Sequence, residues 1–500
     1  MNVKKHVSLL GKRVFYVMYH ECNSTSLSIF LNFSMIKLHL CEFTFGGYRV
    51  RNAVQKQLIC VIAVMLMASV FFVSTQASAA PKTDDIGVEA DAAILVEAST
   101  GKVLYGKNTD ALLGIASMTK MMTEYLVLES IKDKKLSWDQ RVPVSKYAAK
   151  ISQDYGLSNV PLIENQKYTV KELYDAMAIY SANGAAIALA EAVSDSEEGF
   201  IKLMNETAKR LNMGESKFVN STGLSNSLLK GMYPKGTKEE DENLLSARAV
   251  ATLAYHLIHD YPESLEVAKT PSKMFRQGQQ GETKMNNWNK MLPGFSAAYS
   301  GVDGLKTGHT DFAGQCFTGT AERNGVRYIT VVMNAKENGK STEAARFSQT
   351  KKILDYAFSH FQLKEVVPAN GEIKGHETID VAKGKSKEAS VSPKNSVKII
   401  TEKGQKDHTK INFKLNDKVM NDQKVVAPIK KGETVAYVSA TNSNLKDLGY
   451  VGGQTTDSMT PVVTNESVEK AGWFSLAIRS IGNFFSDIWM NAANTVNNWF

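Results

Sequence analysis

The stretch IASMTKMMTEYLVLESI, residues 115–131, decides how this chain is read. Met118, Met121, Met122, Tyr125, Leu126 and Leu128 recur at three- and four-residue steps, which predicts a helix from Ser117 to Ile131. Ser117-Met118-Thr119-Lys120 opens it as an S-x-x-K. Positions i and i+3 share a helix face, so the Lys120 amine can reach the Ser117 hydroxyl. A serine hydroxyl is a weak nucleophile until a neighbouring base takes its proton. A lysine can be that base only where burial or a nearby cation keeps it neutral. The spacing alone carries little, because six other S-x-x-K runs start at Ser34, Ser99, Ser227, Ser348, Ser443 and Ser467.

Two further motifs give it weight. Ser181-Ala182-Asn183 is the only S-x-N in the chain and follows a helix predicted over Lys171–Tyr180. Lys306-Thr307-Gly308 is the only K-T-G and falls where a strand should run. The three stand in that order, with gaps of 64 and 125 residues. This is the motif set of penicillin-binding proteins and class A β-lactamases.

The flanking segments supply the frame. Ala92–Glu97 and Val103–Tyr105 are predicted strands around the turn residues Ser99–Lys102. Ala185–Val193 is small and apolar, a buried helix. Arg323-Asn324-Gly325 favours a tight hairpin before a strand over Tyr328–Asn334. Thr350–Phe358 is a closing helix, with Arg346 just before it. Strands first and last with helices between predict an α+β fold, an antiparallel sheet covered by helices.

At 500 residues the chain needs more than one domain. From Glu372 to about Tyr450, alternating Val and Ile with Gly or Asn turns predict a small all-β domain, bounded here as 366–455. Residues 470–500 interleave Trp473, Phe474, Ile478, Ile481, Phe485, Trp489 and Trp499 with polar residues. That pattern suits an amphipathic helix lying on a membrane surface, after a polar linker over Thr455–Glu469. At the other end, Arg49, Arg51 and Lys56 precede the uncharged run Leu58–Val73 and Ala77-Ser78-Ala79, the layout of a secretory signal within residues 1–79. Beyond residue 79 there are 51 basic and 49 acidic residues, a balance that offers nothing to nucleic acid. Of four cysteines only Cys316 lies past that point, so an exported chain has no internal disulfide and Cys316 reads as a core residue. His256 and His259 form H-x-x-H beside Asp260, but no H-E-x-x-H is present and the pair reads as part of a helix before Pro262 rather than a zinc site.

From about Asp84 onward the chain resembles the low-molecular-mass penicillin-binding proteins, the serine D-alanyl-D-alanine carboxypeptidases of peptidase family S11. The resemblance lies in IASMTKMMTEYLVLE, YSANGAAIALAE and DGLKTGHTDFAG, and AERNG with the Trp-rich tail is similar to Bacillus-type vegetative members. It implies a carboxypeptidase domain over 84–362, a β-rich domain and an amphipathic anchor at the outer face of the cytoplasmic membrane. It implies Ser117 as acyl-ester nucleophile, Lys120 as proton acceptor and Ser181 as proton relay. Asn183, Lys306, Thr307, Gly308, His309 and Arg346 would bind substrate, with the N–H groups of Ser117 and His309 as oxyanion hole. The implied partners are peptidoglycan stem peptides ending in D-Ala-D-Ala and β-lactams as covalent inhibitors, with no metal or cofactor. Two alternatives stay open at this point: a class A-like β-lactamase, although no E-x-x-L-N is present, and a catalytically silent penicillin- or wall-binding module.

Overall fold

The computed structural model describes residues 86–406, 408–442, 444–452 and 459–478. The leader and signal segment within residues 1–79 lies outside them.

The central sheet has five antiparallel strands: β1 (Ala92–Glu97), β2 (Val103–Lys107), β3 (Val302–Thr310), β4 (Gly314–Arg323) and β5 (Val326–Met333). Their spatial order is β3-β4-β5-β1-β2, so the two ends of the domain's sequence meet at the β5–β1 pair, where Ala92 faces Met333 and Glu97 faces Tyr328. Every residue of β1 is buried because both faces of the sheet are covered. Side chains alternate across a strand. Ile94 and Val96 therefore enter the core beneath the helices, while Ala93 and Leu95 enter a second core on the opposite face. The buried Glu97 closes the β1–β2 turn, accepting from the backbone N–H groups of Ser99 (2.8 Å) and Thr100 (2.9 Å). Asn324 (φ 52°) and Gly325 (φ 73°) make the two-residue turn between β4 and β5, as their sequence requires.

Five helices matter to the site or its support: α1 (Lys120–Lys132), α2 (Val170–Tyr180), α3 (Asn183–Ser194), α4 (Ala247–Asp260) and α5 (Glu343–His360). Ten residues of α1 are buried, spread around its circumference, and no side chain caps its first turn, the Thr119 hydroxyl instead accepting from Asn243 Nδ2 (2.8 Å). Packing therefore holds it: each fully buried Met, Leu or Val is worth about 1.5–3 kcal/mol, against about 1 kcal/mol for a cap. By contrast, α2 begins with a capping box in which the Thr169 hydroxyl accepts from the Glu172 N–H (3.1 Å) and the Glu172 carboxylate accepts from the Thr169 N–H (2.7 Å). Helix α5 covers the face of the sheet opposite α1, with Ile353, Leu354 and Ala357 in that core.

Two expectations need correction here. The closing helix starts at Glu343 rather than Thr350, so Arg346 sits in its first turn and not before it. Within Thr455–Glu469, predicted as a polar linker, residues Thr460–Thr464 form a strand. That strand joins a seven-stranded sheet among the described residues, between Thr434–Asn442 and Glu388–Pro393. This sheet and the pair Phe361–Val367 with Val397–Glu402 make up the β-rich part, around a core that includes Val391, Val435, Val438 and Val462. A loop from it returns to the β1–β2 turn, where the Val451 N–H donates to the Gly101 carbonyl (2.8 Å) and Lys102 pairs with Asp447 (2.8 Å).

Candidate active site

Ser117 does not lie on α1 itself. It sits in a 3-10 turn, Ala116–Thr119, that feeds directly into Lys120. In a 3-10 turn residues i and i+3 eclipse, which aligns the pair more closely than an α-helix does. Ala116 takes a left-handed backbone (φ 47°), a strained conformation for a residue with a Cβ. Two glycines let neighbouring chain press on this turn. A Cβ at Gly223 would lie 1.9 Å from the Ala116 carbonyl oxygen, and one at Gly308 would lie 2.6 Å from that of Ile115. Gly308 of the K-T-G run is therefore a contact requirement of the Ser117 turn.

Lys120 is fully buried. Its Nζ lies 2.9 Å from Ser117 Oγ, 2.8 Å from Asn183 Oδ1 and 2.7 Å from the Thr222 carbonyl oxygen. The Asn183 amide is oriented by its other end, where Nδ2 donates to the Ser158 carbonyl (3.0 Å). Thr222 is aimed by an Asx turn: Asn220 Oδ1 accepts from the N–H groups of Thr222 (3.1 Å) and Gly223 (2.7 Å). Asn183 and Thr222 thus offer only acceptors, so each consumes one amine hydrogen. A neutral amine has two, leaving its lone pair for Ser117. Burial, reinforced by the charge of Lys306, holds Lys120 well below the ordinary lysine range.

Ser181 caps α2 in the left-handed conformation (φ 61°), and the Trp288 indole N–H donates to the neighbouring Tyr180 carbonyl (3.1 Å). Its hydroxyl has no hydrogen-bond partner among the described residues. Lys306 is 3% exposed on β3, the edge strand, and its Nζ donates to the Thr307 carbonyl (3.2 Å). Burial brings its pKa down to about 7, Glu124 opposing that shift and Arg346 adding to it. Arg346 is nearly buried; it donates to the Gly308 carbonyl (3.3 Å) and Glu343 (3.1 Å), while its Nε is unpartnered among the described residues. Ser117, Ser181, Asn183, Thr307, Gly308, His309 and Arg346 border one cleft of about 270 Å³, whose wall also includes Gln315, Glu343, Trp288 and the Gly156–Ser158 stretch. The two lysines lie beneath it.

A family model described as D-alanyl-D-alanine carboxypeptidase, peptidase S11, matches residues 75–337. The chain belongs to this family. A second family model, the penicillin-binding protein 5 C-terminal domain, matches residues 361–470. Among curated S11-type relatives, D-alanyl-D-alanine carboxypeptidase DacF of Bacillus subtilis is 32% identical over 431 residues, covering 86% of this chain and 99% of that protein. DacC of Escherichia coli is 28% identical, covering 87% and 96%. Among solved structures, a peptidoglycan synthesis regulatory factor (PBP3) from Streptococcus pneumoniae aligns with TM-score 0.65 and 33% identity over 76% of this chain and 99% of its own. Penicillin-binding protein 5 from Haemophilus influenzae aligns with TM-score 0.58 and 25% identity over 77% and 98%.

Sequence reasoning brought the family's three motifs to one place but missed their supports. The Thr222 carbonyl is backbone and leaves no mark in the pattern. Glu124 did leave one, an acid inside an apolar helix four residues after Lys120. Cys316 is fully buried, and burial pushes its thiol up to about 12. His256 Nδ1 faces Asp260 (3.3 Å) and His259 Nδ1 faces the Tyr255 carbonyl (3.0 Å) on α4. Among the described residues no group of three or more His, Cys, Asp or Glu is placed to hold a metal ion.

Proposed function

We infer that this family member is a serine D-alanyl-D-alanine carboxypeptidase that removes the terminal D-alanine from peptidoglycan stem peptides. The observation carrying this reading is the 2.9 Å contact of Lys120 Nζ with Ser117 Oγ, with the amine's hydrogens committed to Asn183 and Thr222. Lys120 takes the Ser117 proton as Oγ bonds to the penultimate D-alanine carbonyl carbon. Charge develops on the carbonyl oxygen, where the N–H groups of Ser117 and His309 receive it; such a donor is worth about 2.7–4 kcal/mol. The proton passes from Lys120 through the Ser181 hydroxyl to the leaving nitrogen, and the C–N bond breaks. Free D-alanine departs and leaves an ester on Ser117. Water then attacks the ester, gives its proton to Lys120, and Ser117 is restored.

The substrate's terminal carboxylate is drawn by Lys306, Thr307 and Arg346. Edge strand β3 has neighbouring strand only on one side, so an extended peptide can lie along it. β-Lactams carry a strained amide and a carboxylate at the same spacing, which makes them acylating inhibitors of Ser117. The intact Ser117–Lys120 contact speaks against a catalytically silent module, and the family and the β-rich domain speak against a β-lactamase.

We further propose that the protein is exported and held peripherally on the outer face of the cytoplasmic membrane by residues 470–500. Supporting this, residues 473–478 are helical, and Trp473, Phe474 and Ile478 are 80%, 64% and 55% exposed. Residues 479–500 lie outside the described residues. No described helix is long and apolar enough to cross a membrane.

Mass spectrometry of a digest after β-lactam treatment, paired with D-alanine release from a pentapeptide, tests the activity. The expected adduct is on Ser117. An adduct elsewhere, or no D-alanine release by folded protein, overturns the reading.

A further inference from the structure

A second cleft, of about 940 Å³, lies on the seam between the catalytic and β-rich parts, and no step of the reaction uses it. Its walls come from three segments. One is the β1–β2 turn with Lys102. Another is the strand Val397–Glu402, with Ser396 just before it. The third is the strand pair Thr409–Leu415 and Thr434–Asn442, followed by the loop that carries Asp447. Its volume is at the upper end of the range of ligand sites, which favour such seams.

Strand Thr409–Leu415 alternates. Ile411, Phe413 and Leu415 pack on the β-rich core, which turns Lys410, Asn412 and Lys414 to the opposite face, where they line the cleft. Across the pair Lys410 faces Thr441 and Asn412 faces Ser439, and the Asn412 amide donates to the Thr441 hydroxyl (3.4 Å). Lys398 joins from the second wall and Lys102 from the first. Four lysines therefore meet one carboxylate, Asp447, which Lys102 already holds (2.8 Å). Lys414 is paired with Asp417 at 3.6 Å, both exposed. The Lys398 and Lys410 ammonium groups have no hydrogen-bond or ion-pair partner among the described residues, although Glu365 stands opposite Lys398 in register. Lysines on an edge strand also keep foreign strands from pairing with it, and Thr409–Leu415 is such an edge. Edge protection does not account for lysines from three segments converging on one cleft.

This cleft is remote from Ser117. Thr307 aligns across the sheet with Phe317, Val332, Ala93 and Lys107, whereas the β1–β2 turn lies past the row of Glu97 on the opposite edge. Four strand spacings of about 4.8 Å separate the two edges, so the sites are about 20 Å apart or more. A short soluble peptide held at Ser117 does not reach the second cleft; a polymer does. A membrane is the poorer match. Ser396 follows the strand Glu388–Pro393, whereas Ala471, just before the proposed anchor, donates its N–H to the Lys383 carbonyl ahead of that strand (2.8 Å). The anchor leaves from the far end of the sheet.

We propose that this cleft is a second binding site for the acidic glycopeptide strand of peptidoglycan. Its lysines take stem-peptide carboxylates, and Ser396, Asn412, Ser439 and Thr441 take sugar hydroxyls, while another stem of the same polymer occupies the Ser117 cleft. The identity of the polymer rests on the carboxypeptidase reading above.

The test uses the full-length protein and three variants. The first combines Lys398→Glu, Lys410→Glu and Lys414→Glu, and the second changes the same lysines to Gln. The third combines Lys374→Glu, Lys387→Glu and Lys430→Glu, at exposed lysines outside the cleft. Lys102 is left in place because it joins the seam. Co-sedimentation with purified insoluble peptidoglycan measures binding, and D-alanine release is followed from a soluble pentapeptide and from the polymer. The cleft glutamate variant should bind peptidoglycan about tenfold more weakly, with a matching rise in KM on the polymer alone. The glutamine variant should fall between it and wild type, the third variant should match wild type, and added salt should weaken wild-type binding. Equal sedimentation of the cleft variants and wild type overturns the proposal. An equal loss in the third variant also overturns it, by reducing the effect to general charge. Loss of flotation with vesicles of phosphatidylglycerol and phosphatidylcholine, at unchanged peptidoglycan binding, assigns the lysines to lipid and overturns it as well. Should the glutamate variant fail to fold, the glutamine variant carries the same test. Folded wild type that binds peptidoglycan through these lysines yet releases no D-alanine supports the cleft and defeats the proposed activity instead.

Discussion

A lysine with no access to water and two fixed acceptors on its amine has one direction left in which to act. The proposed base role of Lys120 follows from that geometry, and so does its pH behaviour. Acylation rises with pH as Lys120 loses its proton and falls as Lys306 loses its own. Because burial and Lys306 both push Lys120 down, the rising limb lies well below the 10.5 of an ordinary lysine. The pH profile of kcat/KM measures it; a rising limb at the ordinary lysine value contradicts the assignment. Replacing Lys120 with Gln removes the lone pair and lowers acylation by about 10²–10⁴-fold, read by the rate of β-lactam adduct formation. Gly223 gives a second prediction of a different kind. An alanine there meets the Ala116 carbonyl at 1.9 Å on a backbone of φ 80°. Overpacking of this sort costs about 1–3 kcal/mol. The Ser117 turn must shift to accommodate it, so thermal stability and acylation fall together. Stability lost without any loss of acylation would show that the clamp is structural only.

At the scale of elements, legibility in the sequence followed burial on one consistent period. Strand β1 was readable end to end because all six residues are buried and turn chemistry stands at its exit. Helix α2 was readable because its apolar face is continuous. Helix α5 was only half readable. Its first two turns bury Arg346 (4% exposed) and Gln349 (0% exposed), polar side chains that interrupt the apolar spacing. Arg346 is buried there because it faces the cleft, so the site itself obscured the helix that carries it. The pairs Arg141–Pro143 with Lys167–Thr169 and Ser272–Phe275 with Thr283–Asn286 are too short to establish an alternation, as is Thr460–Thr464 in its Ser- and Thr-rich surroundings. The S-x-x-K, S-x-N and K-T-G motifs were legible because side-chain identity carries them. The Thr222 carbonyl and the Asx turn that aims it were not, since backbone groups carry no letter. The β4–β5 turn offers a test confined to one element. Gly325→Val puts a β-branched residue at φ 73°, costing about 1–2 kcal/mol. The urea midpoint should fall while acylation per folded molecule stays unchanged, because the turn belongs to neither the cleft nor its lysines.

For the whole molecule, the question is how a cleft built for a peptide end meets a substrate fixed in a polymer. The β-rich part is tied to the catalytic part at the β1–β2 turn through Val451 with Gly101 and Lys102 with Asp447, so the two share a backbone seam as well as a linker. Lys102–Asp447 adds little to that seam by itself, since an ion pair with one exposed partner is worth about 0–1 kcal/mol. At its far end the β-rich part leads into residues 473–478, whose exposed Trp473 and Phe474 find no cover among the described residues. The proposed anchor assigns that cover to the membrane. A chain ending at Lys470 should then lose association with lipid vesicles while its kcat/KM on a soluble pentapeptide stays as in the full chain. Vesicle flotation measures the first and D-alanine release the second. Anchoring through aromatic side chains makes the binding depend mainly on apolar contact, so added salt should weaken it only modestly. Equal flotation of the shortened and full chains would remove the anchor from residues 470–500. A fall in turnover on the soluble substrate would instead tie that segment to the catalytic part itself.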